Sequence, residues 1–434
     1  MINFIIISAI VAAIAIGYKT KLNVGLIALS FSYLIGCFLL KMNPKEVINL
    51  WPMSIFFAIF SVSMFYNFAV VNGTMDKLAN HILYKTKNFP EMLYIIIYLI
   101  SVLLSAMGAG FFTVMAVFCP IAIALCKKSG KNILIGAQAV NWGASGGANL
   151  MTSGSGIVFQ GLMKDAGFEN EAFQMGIPIF SFTVIYPLIV LIVLFLVNRF
   201  KNGNISKTLE VERPLPFNAK QKINLFLIAL TFVLVLIFPV MNILNPEVQW
   251  IANINSMLNI GLVCITMSVI SLLLHLADQK EVLIRIPWTT IIMLCGMGIL
   301  IQIAVKAGVI SRIGTFMDSN VPEFLIPTAF CLVAGAMSFF SSTLSVVTPS
   351  LFPIIGAMVA ANPNLNATLL FTATVAGSLS TNISPFSSAG SLMQMSAPTE
   401  DDREWMFDKQ MFVGLPITYG LAIVSVLILT FVMT

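Results

Sequence analysis

Residues 378–391 read SLSTNISPFSSAGS. Six serines, a threonine and an asparagine crowd a stretch with no charge, and Pro385 breaks any helix that enters it. The surrounding run, Phe324 to Ser396, contains no Asp, Glu, Lys, Arg or His. Hydrocarbon offers no partner to free backbone groups, so a helix break in so apolar a run must be shielded by protein or line a wet cavity. The stretch reads as a broken helix at membrane depth.

Composition agrees. The 434 residues are 58% hydrophobic and 9% charged, against roughly 25% charged in an average soluble domain. Apolar runs of about 18 residues or more recur, each long enough to cross ~30 Å of hydrocarbon. The fold class expected is an all-α polytopic membrane protein. The first run, 2–18, lacks a basic leader segment and reads as a span rather than a signal sequence. The net charge of +5 does not point to nucleic acid, because the basic residues lie in short loops. The six cysteines (37, 119, 126, 264, 295 and 331) all fall in apolar runs without a CxxC pair, so they read as packing residues and no transition metal is expected.

Working outward, spans are expected near 2–18, 22–41, 51–73, 132–163 and 172–199, then near 221–242, 250–276, 286–308, 366–396 and 409–432. Two stretches, 91–126 and 324–360, are too long for one span. Small residues interrupt each midway: SAMGAGFFT (105–113) and GAMSFFSST (335–343). Both read as re-entrant hairpins. Residues 201–220 form the central linker, and EDDRE (400–404) reads as a solvated loop.

The halves resemble each other. NFAVVNG (67–73) aligns with QIAVKAG (302–308), SAMGAGFFT with GAMSFFSST, and ASGGAN (144–149) with GSLSTN (377–382). Thr113 thereby pairs with Thr343, Ser145 with Ser378, and Asn149 with Asn382. Five spans and a hairpin per half make the second half enter upside down, giving an inverted-topology repeat of 5+5 helices. With both termini outside, the cytoplasmic loops hold 18 of the 23 Lys and Arg residues, leaving Lys41, Lys45, Lys164, Lys306 and Arg312 outside.

An inverted repeat would bring four breaks together: the hairpin tips (108–113 and 338–343) and the broken helices (143–156 and 378–391). Half-helix N-termini there suit an anion, and unwound carbonyls suit a small hard cation. Met92–Cys126 and Asn132–Met163 also lack every titratable side chain named above. Without such a group for a proton relay, sodium is the expected coupling ion and no other cofactor is expected.

The SST at 341–343, the proline-containing helix after it and SLSTNISPFSSAGS resemble the divalent-anion/sodium symporter family of the ion-transporter superfamily. SGGANLMTSGSGIVFQGLM (145–163) looks more particularly like its malonate and dicarboxylate carriers. The resemblance implies an elevator: a dimer-forming scaffold stays fixed while a transport domain carries substrate across. The scaffold would comprise 1–88 and 221–322, and the transport domain 89–200 and 323–434. A homodimer in the bacterial inner membrane follows. The family's hairpin tips carry Ser-Asn-Thr. Here the second tip is Ser341-Ser342-Thr343 and the first, Phe111-Phe112-Thr113, keeps only the threonine.

The site expected on this basis binds a small organic dianion such as malonate or succinate through Thr113, Asn149, Ser342, Thr343, Asn382 and Ser384. Sodium would sit at Gly110, Ser145, Asn149, Ser341, Ser378 and Asn382. An exporter or a proton-coupled carrier of another anion in the superfamily remains an alternative. A more remote one is an intramembrane serine protease, because Gly143-Ala144-Ser145-Gly146 matches the GASG around the rhomboid nucleophile. A serine nucleophile needs a base within reach, and His81 and His275 both fall near span ends.

Overall fold

The structure, a computed structural model, describes all residues except 1, 21, 87–89, 203–212, 246, 287, 310–311, 313–320, 340–341 and 434. The described residues are helical throughout, with no strand. The first half runs α1 (Ile2–Thr20), α2 (Val24–Tyr33), α3 (Met53–Val71), α4 (Thr74–Thr86), α5 (Leu93–Leu104), α6 (Phe111–Lys128), α7 (Ile133–Ala148), α8 (Gly154–Asp165) and α9 (Ala172–Asn202). The second runs α10 (Ala219–Leu244), α11 (Gln249–Met257), α12 (Ile260–Leu273), α13 (Trp288–Lys306), α14 (Ile326–Ser338), α15 (Thr348–Ala361), α16 (Ala367–Ser380), α17 (Ser388–Met395), α18 (Glu400–Lys409) and α19 (Leu415–Met433).

Among the described residues, three helices are each long and apolar enough to cross a membrane alone: Phe111–Lys128, Ala172–Val197 and the continuous Glu400–Met433. The run expected as one span over 250–276 is two helices, α11 and α12, meeting at a bend of 66°. Asn259 is the cause: its side chain accepts from Leu262 N and starts a new helix.

Two expected loops are helices instead. Asn72 receives the Thr74 amide and opens α4 in the 74–90 loop. EDDRE opens α18: Thr399 accepts from Asp402 N, and Glu400, Asp401 and Asp402 stand at the positive end of the helix dipole. Hydrogen bonds from Lys127 and Thr399 hold the Asp402 carboxyl below its ordinary pKa.

Asparagine caps also start the two broken helices. Asn132 accepts from Leu134 and Ile135 N–H groups, and Asn366 from Leu369 N. Helix packing repeats as well. Gly143 of α7 lets the Tyr98 carbonyl of α5 approach, and Gly377 of α16 does the same for Cys331 of α14, so that a methyl group at either glycine would overlap backbone. Gly73 and Gly308, which close NFAVVNG and QIAVKAG, both take left-handed φ, +72° and +73°.

The long segments around α5–α6 and α14–α15 each return to where they began. Tyr94, at the start of α5, donates to the Asn132 carbonyl at 3.3 Å, four residues beyond the end of α6. Phe324, just before α14, packs against Phe431 at 4.7 Å, and Asn366, just after α15, donates to Met433 O. Lys127 at the base of the first hairpin pairs with Asp402. The bases of the two hairpins therefore lie at opposite ends of Glu400–Met433, about 44 Å apart at 1.5 Å per residue. At the first tip, Gly108 and Gly110 take φ of +89° and +78°, and the Tyr66 ring of α3 fills the space where a Gly108 side chain would stand.

Candidate substrate site

The four breaks surround one cavity of about 70 Å³. Phe111 and Phe112 reach it from the first hairpin tip, and Ser342, Thr343 and Leu344 from the second. The broken helices supply Ser145, Asn149, Ser155 and Phe159 on one side, and Leu379, Asn382, Ser387, Ser388 and Ala389 on the other. Met293 of α13 completes the wall. No lining residue is charged, and among the described residues no cluster of His, Cys, Asp or Glu could hold a metal.

Hydrogen bonds orient the two asparagines oppositely. Asn149 is 2% exposed, and its Nδ2 donates to Thr183 Oγ1 of α9 at 3.0 Å, which leaves Oδ1 as an acceptor. Thr183 is itself fixed by donating to the Ile179 carbonyl. Asn382 Oδ1 accepts from Ser338 and Thr343 hydroxyls, each at 3.4 Å, which leaves Nδ2 as a donor. Ser378 Oγ donates to Thr343 Oγ1 at 2.6 Å, so the second hairpin tip and its broken helix form one hydroxyl network. One buried asparagine thus offers an oxygen and the other an N–H.

Helix starts supply further donors. Ser153 occupies the cap position of α8, but its hydroxyl donates to the Ser105 carbonyl at 2.7 Å and caps nothing. The first-turn N–H groups of α8 are left for a ligand or water, beside Ser155 of the cavity wall. Gly110 before α6 and Ser342 before the Thr343–Val347 turn likewise make no side-chain cap. Only Ser387 caps its helix, accepting from Gly390 N at 3.0 Å. Such helix starts bind carboxylates through aligned N–H groups and the dipole.

The unwound loops are held by two glycines that sequence reasoning passed over. Gly156 lies where a side chain would strike the Leu150 and Asn149 carbonyls, and Gly390 where one would strike those of Ser384 and Ile383. Each glycine stands six residues after the carbonyl it meets. The four-residue runs SGSG (153–156) and SSAG (387–390) could have revealed them, had the glycines been read as contacts rather than as breaks.

Of the residues expected in the site, Ser145, Asn149, Ser342, Thr343 and Asn382 line the cavity. Ser378 is one bond behind it, fully buried on Thr343. Ser384 is also fully buried, but its hydroxyl accepts from Phe386 N inside its own loop. Gly110 precedes α6 beside the wall without lining it. Thr113 is not in the wall: α6 begins at Phe111, so the two phenylalanines face the cavity in its place. Ser341 lies outside the described residues. Thr183, Ser338, Met293 and the phenylalanines were not anticipated; apolar residues in an apolar chain carry no signal of their own. Neither His81 nor His275 lies in the wall beside Ser145.

The all-helical fold is similar to that of a solved membrane transporter, and the chain is a multi-pass membrane protein. It is similar over 89% of its length to MtrF of Neisseria gonorrhoeae, reported as illuminating a class of antimetabolite efflux pumps, with 12% identity, a TM-score of 0.53 and 83% of that chain covered. The YdaH transporter of Alcanivorax borkumensis aligns over 90% of this chain and 86% of its own, at 14% identity and a TM-score of 0.48. More particularly, residues 1–148 match the family model described as "Dicarboxylate carrier protein MatC N-terminus". Comparison with curated protein sequences gives no match. These likenesses are to carriers and not to enzymes.

Proposed function

We propose that this protein is a secondary active transporter for a small organic dianion of the malonate and C4-dicarboxylate class, coupled to sodium. The observation that carries the reading is the uncharged cavity lined at three uncapped helix starts and by Asn382, whose amide oxygen is engaged and whose N–H is left to donate. A dianion has two carboxylates, and the α8 start on one side and the Asn382–Thr343 side on the other provide two places for them. The match of residues 1–148 to a dicarboxylate carrier model favours the same substrate class.

Sodium suits what remains. Asn149 Oδ1, the Ser145 hydroxyl and the carbonyls pressed against Gly156 form an oxygen-rich corner, and the Ile383–Ser384 carbonyls against Gly390 form its counterpart. Cations there neutralise the dianion, so the loaded site can cross hydrocarbon without a buried arginine. Hairpin bases at opposite ends of Glu400–Met433 favour the inverted 5+5 repeat. On that topology, 89–200 and 323–434 form the moving domain, and 1–88 and 221–322 the fixed scaffold of a homodimer in the inner membrane, with both termini outside.

Calorimetric titration of the detergent-purified protein with malonate and succinate tests the binding step. Replacing potassium by sodium is expected to tighten dicarboxylate binding at least about fivefold, and malonate is expected to tighten sodium binding by the same factor. Equal affinities in the two salts would remove sodium from the account.

A further inference from the structure

A second cavity, of about 960 Å³, lies between α7, α9 and α19 and shares no lining residue with the polar site. We propose that this groove is a binding site for one anionic phospholipid, with its head group at Lys131 and an acyl chain between α9 and α19. The proposal rests on the chain being embedded in a bilayer, and not on the substrate assigned above.

The groove walls are aliphatic and open. Ile185 and Ile189 of α9 are 54% and 55% exposed, and Val424 and Ile428 of α19 are 53% and 59% exposed. The two helices are joined where Tyr186 Oη donates to the Thr418 carbonyl at 3.4 Å. A surface so shaped leaves its apolar lining to a chain that can follow the gap.

Two polar features give the occupant a head and a direction. Asn132 lines one end of the groove, and next to it the Lys131 ammonium lies 5.4 Å over the Tyr94 ring, whose hydroxyl holds the Asn132 carbonyl. No carboxylate pairs with Lys131 among the described residues. Further in, Gln138 lines the groove floor at 4% exposure, and its Nε2 has no hydrogen-bond partner while its Oε1 accepts from Asn141. An orphaned buried amide donor in an aliphatic groove needs an acceptor. Gln138 lies about 9 Å along the helix from Asn132 at 1.5 Å per residue. A glycerol ester carbonyl reaches it when the phosphate sits at Lys131. The geometry thus matches the parts of a phospholipid in order: phosphate, ester, chain.

The test reads bound lipid rather than transport, so its outcome is separate from that of the carrier reading. Detergent-purified protein is equilibrated with an equimolar mixture of phosphatidylglycerol and phosphatidylcholine of identical chains, and retained lipid is counted by native mass spectrometry. The wild type is expected to retain one phosphatidylglycerol in preference to phosphatidylcholine. Lys131→Gln is expected to lower that preference about fivefold, the worth of one lysine at an anionic lipid, whereas Lys131→Arg keeps it. Gln138→Leu is expected to weaken retention of both lipids alike, because the ester is common to them. Absence of head-group preference in the wild type, an unchanged preference in Lys131→Gln, or a second copy of the protein in place of lipid would overturn the proposal.

Discussion

Asn382→Ala is expected to weaken dicarboxylate binding about ten- to a hundredfold while leaving the protein folded. The side chain is the shared acceptor of Ser338 and Thr343, and Thr343 in turn takes the Ser378 hydroxyl. Deleting it strands two hydroxyl donors and removes an amide N–H from the cavity wall. Loss of a buried hydrogen-bond partner costs about 1–3 kcal/mol, and each 1.4 kcal/mol is about tenfold in affinity. Asn149→Ala is expected to act differently. Its free atom is an oxygen, so its loss raises the sodium requirement before it alters dicarboxylate affinity at saturating sodium. Titrating each ligand at saturating levels of the other separates the two variants. The same loss of both affinities in both would mean that the asparagines are merely structural.

The second large effect is expected at positions that touch no substrate. Gly156→Ala and Gly390→Ala each put a methyl group into backbone carbonyls, of Leu150 and Asn149 in one case and of Ser384 and Ile383 in the other. Backbone cannot rotate away as a side chain can, so the loops must shift. Overpacking of this kind costs about 1–3 kcal/mol. If those carbonyls hold the coupling ions, half-saturating sodium rises at least about tenfold in either variant, equivalent to 1.4 kcal/mol. Gly154→Ala is the control: no atom lies within 4 Å of its added methyl, so sodium dependence stays as in the wild type. Equal behaviour of Gly156→Ala and Gly154→Ala would remove the carbonyls from the ion site.

The breaks were legible because hydroxyls and glycines are conspicuous in apolar runs. SLSTNISPFSSAGS and ASGGANLMTSGSG stand out for what hydrocarbon would reject. Asn149, Asn382, Ser145, Ser342 and Thr343 were legible for the same reason, and all five line the cavity. The wall opposite them was not. Phe111, Phe112 and Met293 differ in no way from the many apolar residues facing lipid, and their position depends on where α6 starts and how α13 packs. Thr113 shows the limit of reading one half by the other. Its mate Thr343 follows the cap Ser342 directly, but Thr113 is two residues past the start of its own helix.

The bend between α11 and α12 was hidden because both flanks are apolar, and only the cap at Asn259 marks it. The helices α4 and α18 were hidden for the opposite reason. Their charges look like loop, whereas Thr399 caps α18 and the Asn72 side chain takes the first amide of α4. Gly156 and Gly390 were visible as glycines, but the carbonyl each admits is set by how the chain folds back.

On the carrier reading proposed above, this cavity takes a dicarboxylate across a membrane together with sodium. Uptake of radiolabelled malonate into proteoliposomes, driven by an inward sodium gradient and compared with an equal proton gradient, tests it most directly. Accumulation is expected under the sodium gradient alone, reduced at least about tenfold by Asn382→Ala. Accumulation driven only by protons, or identical uptake by the wild type and Asn382→Ala, would contradict it.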